Sequence, residues 1–162
     1  MLKQFNKNNC GFTIIEIIVV LLLISIIAAT AFQRSISTDQ MHFRGQFDKI
    51  QNQMRYPQSI AMKRSEWWGI SNDTTHYWIF TGTNKDTVAN QRRLPGQEDI
   101  KISLADLGVT MTPSFTVIFD SFGIPYWGDW NTRLASEETV NLTGLGSPPR
   151  SFNIVPETGL IR

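Results

Sequence analysis

The run from Phe12 to Phe32 is apolar around the whole circumference of a helix and carries a single charge, Glu16. At 1.5 Å per residue it is about 31 Å long, close to the ~30 Å hydrocarbon core of a bilayer, so the pattern predicts a transmembrane helix over 12–32. Beyond it the pattern becomes one-sided. Phe43, Phe47, Ile50 and Met54 fall on one stripe at helical spacing, with Arg44, Gln46, Asp48, Lys49 and Gln53 elsewhere, which predicts an amphipathic continuation over 33–65 that must bury that stripe. Tyr56-Pro57 is expected to break this helix near Arg55, because the residue before a proline avoids the helical region and proline lacks an N–H; a short second helix would then run from Pro57 to Lys63.

From Trp67 the period shortens. Trp67 to Ser71, His76 to Thr81, Ile100 to Leu104, Phe115 to Asp120, Thr139 to Leu142 and Phe152 to Val155 are short runs rich in aromatic and β-branched residues, and they read as strands. Asn72-Asp73, Asn84 to Asp86, Leu94 to Gly96, Asp120 to Gly123, Gly144 to Pro149 and Pro156 to Gly159 supply the turns between them. Phe152 to Arg162 reads as a closing hairpin with Leu160-Ile161 returning. The fold class is therefore α+β: a long amino-terminal helix whose outer half packs on a mostly antiparallel sheet formed by a head domain over 66–162.

Glu16 requires a reason, since a carboxylate one turn inside a span costs about 3 kcal/mol unless it is paired. A leader bearing Lys3 and Lys7, then Gly11-Phe12-Thr13, two isoleucines, Glu16 and a long aliphatic run resembles the amino terminus of type IV pilins and type II secretion pseudopilins. The resemblance implies removal of residues 1–11 by a prepilin peptidase that cuts between Gly11 and Phe12, N-methylation of Phe12, and an assembly role for Phe12 and Glu16. It further implies a bacterial inner-membrane protein crossing once, with its head in the periplasm or in an extracellular filament, whose partners are the peptidase and other pilin or pseudopilin subunits. The order of elements, with a Phe-Asp-Ser-Phe-Gly turn and a terminal Pro-Glu-Thr-Gly turn, is similar to that of H-type minor pseudopilins and related minor pilins. Orientation follows from the resemblance alone, because Arg34, Arg44 and Lys49 after the span offset Lys3 and Lys7 before it.

Two other readings of the amino terminus stand beside this one. A plain membrane anchor leaves Glu16 without a reason. A secretory signal, with Ala29-Thr30-Ala31 as its cleavage site, would release a soluble protein beginning at Phe32.

Composition narrows the function further. Among 15 basic and 14 acidic side chains, Lys3 and Lys7 belong to the leader, so acids outnumber bases by one in the mature chain. That balance is unfavourable for nucleic acid, and a DNA- or surface-binding minor pilin using Arg92, Arg93, Arg133 and Arg150 is the weaker alternative. Cys10, the one cysteine, leaves with the leader, so no disulfide is expected in the mature chain. No catalytic constellation stands out around His42 or His76, and no enzyme activity, cofactor or metal is expected. Gly144-Leu145-Gly146-Ser147 lacks the frame of a phosphate loop, and Asp120, Asp129, Glu137 and Glu138 read as solvated turn acids rather than calcium ligands. Trp67, Trp68, Tyr77, Trp78, Tyr126, Trp127 and Trp130 gather in three segments; packing is the first reading for them, with a partner-contacting loop at Trp127 to Trp130 as the second.

Overall fold

The computed structural model describes residues 13–144 and 146–162, with backbone alone for 31–38. The chain divides into two units, Met1–Thr38 and Asp39–Arg162.

In the first unit the described chain is the beginning of helix α1, which spans Ile14–Arg64. Its large apolar side chains from Ile14 to Ile27 are all exposed.

In the second unit α1 presents the expected stripe. Phe43, Phe47, Ile50 and Met54 are all buried, as is Ala61 one further turn on. The break at Tyr56-Pro57 does not occur, and the second helix expected from Pro57 is part of α1. A proline inside a helix forfeits one backbone bond and costs about 3 kcal/mol. Contacts on either side offset this. The Arg55 guanidinium donates twice to the Ile161 carbonyl, at 2.9 and 2.7 Å. Gln58 Nε2 donates to the carbonyls of Gly123, at 3.0 Å, and Thr158, at 2.5 Å. Tertiary anchoring outweighs local propensity here.

The strands are β1 (Trp68–Asn72), β2 (His76–Thr81), β3 (Gln91–Arg92), β4 (Ile102–Ser103), β5 (Val109–Thr112), β6 (Phe115–Phe119), β7 (Pro125–Trp127), β8 (Glu138–Gly144) and β9 (Arg150–Ile154). All described pairings are antiparallel, but they form two sheets rather than one. The larger sheet has the order β3-β2-β1-β6-β7, with β4 pairing the start of β2; the smaller is β5-β8-β9. Both turn residues toward the α1 stripe. Ile70, Tyr77, Ile79, Val117 and Phe119 come from the first sheet and Met111, Val140, Leu142, Phe152 and Ile154 from the second, in one core with Phe43, Phe47, Ile50 and Met54. The Phe47 and Phe152 rings meet at 6.4 Å. Gly144 is required where it stands, since any Cβ there would fall inside the Phe43 ring.

The other face of the larger sheet carries a second, smaller core of Trp78, Phe80 and Ile118, flanked by half-buried Trp67 and Tyr126. The closing hairpin returns as an isolated bridge between Ile154 and Ile161, with Asn153 and Arg162 exchanging backbone bonds at 2.8 and 3.0 Å.

Candidate functional site

The amino-terminal segment begins with Thr13. Its hydroxyl Oγ1 accepts from the Glu16 N–H at 3.3 Å, while its carbonyl accepts from the N–H groups of Glu16 and Ile17 at 3.1 and 3.3 Å. Thr13 is thus the N-cap of α1 and Glu16 its third helical residue, the T-x-x-E spacing of a capping box. This capping role of Thr13 was not among the sequence expectations, although the i, i+3 spacing from Thr13 to Glu16 was there to be read. A carboxylate in the first turn also lies at the positive end of the helix dipole.

Behind the cap, Ile14 is 81 % exposed, and exposed Ile, Val and Leu side chains continue without interruption on every face to Leu23 and Ile24. The two hydroxyls in the run satisfy themselves: Ser25 Oγ donates to the Leu22 carbonyl at 2.7 Å and Thr30 Oγ1 to the Ile27 carbonyl at 2.9 Å. A helix built this way offers its surroundings no side-chain hydrogen-bond donor from Ile17 to Thr30 that is not already used. Among the described residues no cation lies within ion-pair distance of the Glu16 carboxylate.

Among the described residues, no helix is long and apolar enough to cross a membrane. The expected span over 12–32 extends past those residues at both ends. Phe12, and the side chains of residues 31 and 32, fall outside them. Gly11 and Phe12, the expected processing residues, also lie outside the described residues, as does the leader with Cys10.

Residues 6–32 match the family model of the prokaryotic N-terminal methylation motif. The matched stretch contains Gly11, Phe12, Thr13 and Glu16 together with the apolar run. No curated protein and no solved structure matches the chain.

The head disperses the remaining candidates. His42 and Asp39 line a cavity of ≈ 470 Å³ beside Asp106 and Phe43. His76 opens β2 and contacts the Asp73 turn. Asp120 accepts N–H bonds from Phe122 and Ile124, both at 2.9 Å, and so shapes its own turn. Asp129 does the same for Asn131 and Thr132, and these bonds, the Thr132 side chain first, hold its carboxyl below the usual carboxylate range. Glu137 pairs with Arg162 at 3.1 Å. Among the described residues no group of three or more His, Cys, Asp or Glu side chains is arranged to hold a metal ion.

The aromatics divide between the two cores. Tyr77 is wholly buried, its hydroxyl donating to Gln53 Oε1 at 2.5 Å, and burial pushes its ionisation well above the usual range. Trp127 stacks on Phe115 at 5.7 Å, and Trp67 meets Tyr126 edge to face at 5.1 Å; Trp130 is 48 % exposed. The four arginines considered for DNA do not converge. Arg92 is on β3 of the larger sheet, whereas Arg150 is on β9 of the smaller one, where it lies over the Phe47 ring and 3.9 Å from Asp48. The two turns that carry the H-type resemblance meet at Gln58. A Cβ on Gly159 would stand 2.6 Å from the Gly123 carbonyl oxygen, so both turns have a packing reason for their glycines.

Proposed function

We propose that the chain is a minor subunit of a type IV pilus or of a type II secretion pseudopilus, made as a membrane-anchored precursor. A prepilin peptidase cuts between Gly11 and Phe12 and methylates the new Phe12 terminus. The mature subunit then leaves the bilayer sideways into a filament whose centre is formed by these helices. One observation carries this reading: the segment that matches the methylation motif continues as a helix that is apolar and exposed on every described face from Ile14 to Ile27, with one carboxylate in its first turn. A helix apolar all round is stable only inside something apolar, either lipid or a bundle of its own kind. An ordinary anchor needs the first and has no use for the carboxylate. A filament subunit needs both in succession, and there Glu16 can pair with the Phe12 ammonium of a neighbour. A secretory signal cut after Ala31 is less consistent with α1, which runs through 29–38 without a break.

Cleavage is the direct test. Glycine has no side chain, and a peptidase site shaped around it would reject a β-branched residue, so Gly11→Val is expected to leave the leader attached. Intact-mass measurement on protein from the membrane fraction reads the outcome. A mature chain beginning at Phe32 in the unmutated protein would overturn the proposal in favour of secretion.

A further inference from the structure

At the carboxyl end of α1 the chain turns through Ser65, held in the left-handed region at φ 54, and enters β1. This turn, the end of β2 and strand β3 enclose a depression of ≈ 600 Å³ lined by Arg64, Glu66, Trp67, Thr81 and Arg92, among others. Two arginines are among its lining residues. Arg64 lies over the Trp68 ring at 5.7 Å. Arg92 is held by its own loop, one Nη1 donating to the carbonyls of Ala89 and Gln91 at 2.6 and 3.0 Å. Among the described residues neither is within ion-pair distance of a carboxylate, although Glu66 borders the same depression. Trp67 lines the same depression, half-buried and held by its edge-to-face contact with Tyr126.

This composition is that of a binding hot spot. Arg, Trp and Tyr dominate the energetics of protein interfaces, and side chains already held in place lose less entropy on binding. A fixed guanidinium without a carboxylate is also set up for bidentate pairing with an incoming one. We propose that this depression docks an acidic segment of another protein, whose carboxylates pair with Arg64 and Arg92 and whose apolar side chain covers the Trp67 indole. The charge distribution favours a peptide over a nucleic acid. Glu66 borders the same depression, so a continuous run of phosphates would have to pass its charge, whereas separate carboxylates need meet only the two arginines. This site stands whether or not the chain enters a filament.

The test uses the full chain in non-ionic detergent and fluorescence anisotropy of three labelled probes: a Glu/Leu peptide, its Lys/Leu counterpart and oligothymidine. The unmutated chain is expected to take the acidic peptide in preference to the other two. In Arg64→Glu/Arg92→Glu the acidic peptide is expected to bind at least tenfold more weakly, and the Lys/Leu peptide more tightly than to the parent. Because Arg64 also covers Trp68, Arg92→Glu alone serves as the second variant and is expected to shift both peptides in the same directions with an unchanged melting temperature. The proposal is overturned if the parent does not bind the acidic peptide, if oligothymidine binds more tightly than it, or if the charge reversals leave the peptide affinities unchanged.

Discussion

Residues 14–30 and residues 43–61 belong to one helix, α1, yet their apolar side chains end in opposite surroundings. Phe47 is 6 % exposed and Leu22 is 56 % exposed. The difference lies in arrangement rather than in hydrophobicity. Where apolar residues keep to one stripe, the chain supplies the cover itself from two sheets. Where they occupy every face, no single layer of this chain could cover them, and the burial must come from outside. The 43–61 stretch is therefore built for folding within this chain, and the 14–30 stretch for cover supplied from elsewhere.

Four changes would break or sharpen this contrast. The largest effect is expected from deleting residues 159–162. This removes buried Ile161, the bonds from Arg55 and the return pairing at Asn153. The expected loss, about 5 kcal/mol, is comparable with the whole stability of a small domain, so near-UV circular dichroism of the detergent-solubilised chain should lose its tertiary signal. A wild-type spectrum and melt would show that α1 does not depend on the closing hairpin. Next come paired truncations on the same helix. Phe47→Ala is expected to cost about 4 kcal/mol in denaturant unfolding of the head, while Leu22→Ala should stay within about 0.5 kcal/mol. Equal effects would erase the distinction between the two stretches.

Glu16→Leu probes the exposed stretch from the other side. Head stability and processing should be unchanged, but a filament that leaves the neighbouring Phe12 ammonium unpaired loses about 3 kcal/mol, on the order of a hundredfold in incorporation. Quantitative comparison of membrane-bound and sheared filament fractions measures this, and glutamine is expected to rescue poorly because it keeps the shape without the charge. Wild-type incorporation of Glu16→Leu would remove the carboxylate from the assembly argument. The smallest effect is expected at Asp73. Slight burial raises its pKa, but bonds from the Thr75 hydroxyl and the N–H groups of His76 and Thr75 outweigh this and hold it below the usual carboxylate range. A carboxylate lowered on folding adds stability above its unfolded pKa and loses it as pH falls through the folded one. Asp73→Asn should therefore lower the melting temperature slightly at neutral pH, where the ionised carboxylate contributes, and flatten the acid limb below about pH 4; both effects are small because the group is exposed.

Much of this was legible in the sequence. The stripe from Phe43 to Met54 could be read because burial on one side imposes a helical period, and β2 because its residues suit a pleated surface. Three strands were missed for separate reasons. β3 is two polar residues whose pairing is set by Ile79 and Phe80 opposite; β7 begins at a proline; and β5 alternates correctly, Val109 and Met111 in, Thr110 and Thr112 out, but over only four residues. Pro57 misled because a local rule carries no knowledge of Gln58 and Arg55 reaching across the fold. Within the amino-terminal segment the glycine, aromatic and glutamate were visible as a motif, whereas the capping role of Thr13 was visible and overlooked. The depression shared by Arg64, Trp67 and Arg92 was not legible, because it depends on the end of β2 pairing β1 on one edge and β3 on the other.

The clamp of Arg55 on the Ile161 carbonyl also has a consequence in time. The two residues are 106 positions apart, and those joined by Gln58 and Thr158 are 100 apart. Contacts of such long sequence separation form late. Ile161 is made after β1 to β9, so the apolar stripe of α1 emerges before the residues that cover it. The Arg55 clamp therefore closes only once Ile161 has been made, when the amino-terminal segment is already synthesised. Whatever receives that segment must hold a nascent chain whose outer half is still unfolded and prone to associate with others of its kind.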